Sequence, residues 1–291
     1  MSYFTPKAVL DALKIDWDDS PIPEDMPRGC ELPTYEYGDE EGVSTFDEGV
    51  GSGLLQKIDR VEWPERIEAL ERGESTLQDR IDADWQRALT QGRCGYCWSY
   101  AVICAMQAND ARDGLPHRPL SAASVAAQIK RGKNQGGWPV AAAKWIYRNG
   151  VCLREEWGDC SCKGGSCRGP SSGCQARDLS LTEKTSRSAE MHKIGKFFEL
   201  PRNDFDSCVS CILQGIPVAL GWVGTGAWCD GHAMGCLHVV RDGRRGYALV
   251  PDNSWGNYKR RNPVTRAPSG GVAILNNQVI RPHEPSFATA V

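Results

Sequence analysis

One cysteine in this 291-residue chain has the surroundings of a nucleophile. Cys97 follows the polar, glycine-rich run Gln91-Gly92-Arg93-Cys94-Gly95-Tyr96 and opens an apolar, helix-forming one that reaches Met106. A cysteine in the first turn of a helix feels the positive end of the backbone dipole, which favours thiolate over thiol. Six residues earlier, Gln91 offers a side-chain amide able to donate to an oxyanion. Attack on a carbonyl by such a thiolate needs a histidine to carry the proton and a group to orient its ring. The chain has five histidines from which to draw it.

The stretch Gln91–Trp98 resembles the active-site segment of papain-like cysteine proteases, Q-G-x-C-G-x-C-W, at every fixed position. In that family a histidine follows far downstream, and an asparagine after it. Gly231-His232-Ala233-Met234 and Asp252-Asn253-Ser254-Trp255-Gly256 match those segments in family order, at distances of 135 and 21 residues. The resemblance makes Cys97 the nucleophile, His232 the proton carrier and Asn253 the group that orients the imidazole. Gln91 and the Cys97 N–H become the oxyanion donors, and Trp255 a shield for the Asn253–His232 contact. His117, His192, His238 and His283 lack the Gly-His-Ala frame. Asn134-Gln135-Gly136-Gly137-Trp138-Pro139 resembles the segment that lines the family's substrate groove. Gly136 and Gly137 would then pair with an extended substrate, because glycine lets another backbone approach closely. Trp138 and Pro139 would wall the main specificity pocket, with Ala233 and Gly221 leaving its floor open. A helix start packed on the core is the plainer account of Trp138 and Pro139.

The elements that must hold these residues are legible from caps and periodicity. A helix from Cys97 to about Asp113 ends at Gly114, and Ser121 caps a second that runs to about Arg131. A third spans Val140 to Asn149 and is closed by Gly150. Asn203 can cap a helix from Asp204 to Gln214, after a polar stretch that reaches His192. Strands are expected at 216–222, 232–240, 246–251 and 271–275. The fold class is α+β. The resemblance implies two lobes, a helical one carrying Cys97 and a β-barrel-like one carrying His232 and Asn253, with the site between them.

Residues 1–80 read as an acidic N-terminal extension and 81–291 as the catalytic domain. The extension has a net charge of −12 and the remainder +9, within a chain total of −3. A helix is expected from Pro64 to Gly73, and 34–53 reads as loop. The extension is either a propeptide that docks on the basic domain or an arm for a protein partner, and a solvated arm without specific function is the bland alternative. Met1–Asp19 lacks the basic start and apolar centre of a secretory signal, and no run of about 18 apolar residues is present. An intracellular or particle-associated location follows, with no membrane partner.

The thirteen cysteines are an odd number, so one thiol stays unpaired even under full oxidation. The resemblance implies a bridge from Cys94 to a cysteine before the Gly-Gly pair, but Gln135 stands there. Cys160, Cys162, Cys167 and Cys174 lie in a loop at 159–174 rich in glycine, serine and basic residues. Four thiolates there could hold a structural zinc, two disulfides would serve equally, and unpaired thiols are the third reading.

The expected activity is that of a cysteine endopeptidase that hydrolyses peptide bonds through a thioester with a Cys-His-Asn triad and needs no cofactor. Its partner is a polypeptide substrate, and the spread of the +9 charge gives no nucleic-acid footprint. The alternative is a structural or adaptor protein of an assembly that keeps the fold without proteolysis. Transfer of the thioester to an amine is a further enzymatic variant.

Overall fold

The computed structural model describes residues 28–72, 89, 91, 92, 94–157, 183–227, 229–242, 246–254 and 263–279. In chain order their elements are β1 (Ser44–Thr45), α1 (Phe46–Gly51), α2 (Trp63–Arg72), α3 (Cys97–Arg112), α4 (Ala122–Lys130), α5 (Pro139–Asn149) and α6 (Arg154–Trp157). There follow α7 (Glu183–Met191), β2 (His192–Leu200), α8 (Phe205–Leu213), β3 (Val218–Trp222), β4 (His232–Asp242), β5 (Gly246–Asp252) and β6 (Gly270–Val279).

Local chemistry explains most helix limits. Thr45 and Glu48 form a reciprocal capping box at the start of α1. Ser121 Oγ accepts from Ser124 N at the start of α4, and Pro139 stands in the first turn of α5. Gly150 closes α5 at φ 78°, where a Cβ would overlap the Ala189 carbonyl. The cap of α8 is Asp204 and not Asn203: its Oδ1 accepts from Asp206 N at 3.0 Å and Ser207 N at 3.2 Å. A carboxylate also suits the positive end of the helix better than an amide.

The strands form a single sheet in the order β1-β2-β6-β3-β4-β5. All neighbours are antiparallel except β1 and β2. The expected barrel is therefore an open sheet among the described residues: β1 has two residues, and beyond β5 there is only the isolated Leu249–Val264 bridge. Strand β2 begins at His192, where the polar stretch ends, and no strand is expected there from the sequence. Register shifts at Ile194/Lys196 and Lys196/Phe197, then four consecutive buried residues from Phe197 to Leu200, remove the alternation that marks a strand.

Helix α3 holds the two lobes together. Fourteen of its sixteen residues are buried, between α4 and α5 on one side and β3, β4 and β6 on the other. A second core lies across the sheet, where Phe46, Leu55, Ile58, Trp63 and Ile67 pack with Phe198, Leu200, Val209, Ile212 and Trp222. Those first five side chains come from the N-terminal extension, and burial stabilises by about 1.5–3 kcal/mol for each. These five residues pack in the same core as the sheet, and 34–53 is not all loop, since it contains β1 and α1.

The nine described cysteines are thiols with no disulfide among them. Among the described residues no group of His, Cys, Asp and Glu could hold a metal ion. Cys160, Cys162, Cys167 and Cys174, proposed above for zinc or disulfides, and Trp255 lie outside the described residues.

Candidate active site

Cys97 is the first residue of α3 and fully buried. Tyr96, in the N-cap position, offers no side-chain cap. The N–H groups of Ala233, Gly29, Trp98 and Cys97 itself point at the sulfur. The Ala233 contact places Cys97 beside the start of β4, where His232 stands. His232 is also fully buried, and its Nε2 donates to Asn253 Oδ1 at 2.9 Å. Asn253 follows β5, and the β4–β5 pairing (Gly235 opposite Asp252) brings the two together.

Gln91 is also buried. Its Nε2 donates to Cys94 O at 2.8 Å, and its Oε1 accepts from the Ser254 hydroxyl. Its backbone N–H donates to Ser254 O at 2.9 Å. Ser254 thus ties Gln91 to the Asn253 segment, a contact the sequence did not single out although Ser254 stands next to Asn253. Asn134 Oδ1 accepts from Gly95 N at 2.7 Å and fixes the loop before Cys97. His238, further along β4, is buried and has its Nε2 3.9 Å from Glu71 of α2.

The groove residues converge on the same place, but the chain's own N-terminal extension fills it. Gly29 N and Cys30 N both donate to Gly231 O, at 3.1 and 3.0 Å. Glu31 N donates to Gly137 O at 3.0 Å, and Gly137 N donates to Gly29 O at 2.8 Å. A Cβ on Gly29 would overlap Gly95 O, so only glycine passes this point. One on Gly136 would meet Glu31 Oε1 at 2.5 Å. The Cys30 thiol enters the expected specificity pocket. A Cβ on Gly221 would meet Cys30 Sγ at 2.6 Å and the Trp138 ring at 2.7 Å. Trp138 lies against Gly221 and Cys30, and Pro139 stands buried in the first turn of α5. No sequence signal marked Gly29 and Cys30.

Under this strap the pair is held neutral. Burial pushes the Cys97 thiol up to about 12, against the hydrogen bonds it receives. Burial likewise pushes His232 down to about 4, with the Asn253 bond opposing and the Arg28 charge adding to the drop. The thiolate expected from the helix dipole is thus not the favoured form in the covered site, because desolvation outweighs the dipole. The sign for pH follows. A histidine depressed below its ordinary 6.5 contributes stability to the covered arrangement that is complete above about 6.5 and is lost as pH falls through about 4. A thiol raised from 9.0 contributes stability that is present below about 9 and is lost as pH rises through about 12. Hydrogen exchange at the Gly29, Cys30 and Glu31 amides, corrected for intrinsic rates, should therefore be slowest between about pH 6.5 and 9 and quicken on the acid side. A flat profile from pH 7 to 4.5 would overturn this reading.

No model of a known protein family matches the chain. Xylellain, a cysteine protease from Xylella fastidiosa, superposes with a TM-score of 0.55 at 16% identity, covering 90% of this chain and 100% of that one. The chain has the papain-like two-lobe fold. A clostridial cysteine protease after propeptide cleavage, with a TM-score of 0.51 at 12% identity, shares the papain-like fold over 68% of this chain and 57% of its own. Caricain from Carica papaya is 25% identical over 197 residues, which are 63% of this chain. The chain spans 54% of the length of that curated relative. Within the papain-like fold, Cys97 lies at the start of the helix between the lobes and His232 on the sheet side.

Proposed function

We propose that this chain is a cysteine endopeptidase, with Cys97 as nucleophile, His232 as proton carrier, Asn253 as the ring-orienting amide and Gln91 as an oxyanion donor. The observation that carries the reading is the meeting of three sequence-distant segments, 91–97, 232–233 and 253–254, at the start of α3. Its geometry is the His232–Asn253 bond of 2.9 Å and the Ala233 amide on the Cys97 sulfur. Once the cleft opens, water returns to the pair and the Cys97–His232 ion pair becomes accessible. The thiolate attacks the scissile carbonyl and forms a thioester, and the imidazolium gives its proton to the leaving amine. Water then attacks the thioester with His232 as base, releasing the acid and restoring the thiol. The Cys97 N–H and a Gln91 amide hydrogen stabilise the oxyanion of each tetrahedral intermediate. Neither step requires a cofactor.

The substrate in this reading is a polypeptide. Gly137 would pair with the substrate backbone and the pocket of Trp138, Gly221 and Ala233 would take an apolar side chain two residues before the scissile bond. Hydrolysis of fluorogenic peptides varied at that position tests the reading; indifference there, or a preference for acids, refutes the pocket assignment. Gln91→Ala should lower kcat about 10²–10³-fold with little change in KM. An unchanged kcat would remove Gln91 from the oxyanion site.

A further inference from the structure

This inference rests on the peptidase reading and concerns what holds its oxyanion donor in place. We propose that Asn134 is a positioning residue for Gln91, acting through the single peptide unit between Cys94 and Gly95.

That unit is gripped at both ends. Its carbonyl, Cys94 O, accepts from Gln91 Nε2 at 2.8 Å, and its N–H, on Gly95, donates to Asn134 Oδ1 at 2.7 Å. A peptide unit is planar, so fixing the direction of the N–H fixes the carbonyl on the opposite side. Asn134 therefore sets where Cys94 O points, and Cys94 O sets where the Gln91 amide points. The Gln91 amide has two hydrogens. Cys94 O holds one of them, which leaves the other in a defined direction for an oxyanion. The bond donated by Gly95 N also polarises the carbonyl of the same unit and strengthens its hold on Gln91. The oxygen end of the Gln91 side chain is fixed separately, by the Ser254 hydroxyl.

A turn of its own places Asn134 for this. Helix α4 ends at Arg131 in the left-handed region, φ 50°, and Gly132 N returns to Ala127 O at 2.8 Å. Gln135 N then donates to Lys133 O at 2.9 Å, closing a γ-turn with Asn134 at its centre. The turn presents two acceptors to the loop before Cys97: Asn134 Oδ1 for Gly95 N, and Lys133 O for the Tyr96 hydroxyl at 3.0 Å. Gly95 is buried, whereas Asn134 lies at the surface. Loss of the Asn134 side chain leaves a buried donor with only water to meet it, and water fixes no direction. The next peptide unit is held independently. Trp98 Nε1 donates to Gly95 O at 3.1 Å, and the Tyr96 carbonyl accepts from Ser99 N and Tyr100 N. Cys97 therefore keeps its place in α3 whatever stands at 134, and the expected defect falls on Gln91.

Kinetics of the full chain on a fluorogenic peptide separate this role from one in shape alone. Asn134→Leu, close in size but without an acceptor, and Asn134→Ala should each lower kcat about tenfold with little change in KM, and either variant alone decides. Asn134→Asp keeps an Oδ acceptor and should stay within about threefold of the parent. In a Gln91→Ala background, Asn134→Leu should cost less than about twofold more, because the group it positions is gone. An unchanged kcat, a change in KM alone, or full additivity with Gln91→Ala would overturn the inference. A second readout needs no turnover. In nitrogen–proton correlation spectra the Gln91 side-chain amide resonances should move in Asn134→Leu and by far less in Asn134→Asp. Resonances that stay put in Asn134→Leu would also overturn it. Resonances that move in a protein that hydrolyses no peptide would leave Asn134 as the residue that positions Gln91 and refute the peptidase reading.

Discussion

Replacing Cys97 by alanine should leave a folded chain that hydrolyses no peptide. The loss expected when a covalent nucleophile is removed is on the order of 10⁴–10⁶ in kcat, because oxyanion donors and substrate binding alone retain little catalysis. The substitution removes one sulfur atom from a fully buried position, so the fold should tolerate it. Labelling separates this from a general effect of thiol loss. The other eight described cysteines are buried, and none has the amides of a helix start and of Ala233 aimed at its sulfur in the way Cys97 does. At pH 5.5, once the cleft is open, ordinary thiols are protonated and an ion-paired Cys97 should take up nearly all of the probe. Labelling that persists in Cys97→Ala, or hydrolysis within tenfold of the parent, would sink the assignment.

Trp63→Ala should be the most destabilising single truncation in the extension, by about 3–5 kcal/mol. The indole is fully buried, tilts against Phe205 at 6.3 Å, stands edge-on to Tyr247 and hydrogen-bonds Ile58 O. Leu54→Ala is the internal control, since that side chain is 41% exposed and should cost under about 0.5 kcal/mol. Urea unfolding followed by tryptophan fluorescence reads both. A Trp63→Ala cost below about 1 kcal/mol would mean that residues 43–72 lie on the domain without being part of its core.

The candidate site was legible because its residues sit in short contiguous frames. Gln91 to Trp98, His232-Ala233 and Asn253 announce themselves locally, and the fold then has only to bring three segments together. Helix limits were legible for the same reason, as at Ser121, Pro139 and Gly150. The carboxylate of Asp204 displaced Asn203 as a cap by one residue, because both types accept from amides and only the backbone turn decides between them. What stayed hidden was long-range. An open sheet and a closed barrel use the same strands, and edge pairing alone distinguishes them. The extension was masked by its average composition: five core residues are scattered among 20 acids and 8 bases, so net charge suggested a solvated arm. Charge does anchor the strap, through Glu36 and Glu40, but backbone hydrogen bonds at Gly29 to Glu31 seat it in the cleft.

The two-residue strand β1 has a consequence for solubility. Among the described residues it is the only strand on the outer edge of β2, a nine-residue strand whose last four residues are buried. Without it, Phe198 and Glu199 would present unpaired amides and carbonyls beside an apolar face, the template on which a second chain can add a strand. Light scattering at rising concentration should therefore remain flat for protein shortened to residue 39 and climb once residues 44 and 45 are lost as well. A blunt, two-residue edge is short enough that it offers a neighbour almost nothing to extend, and so the segment that completes the core also keeps the molecules apart.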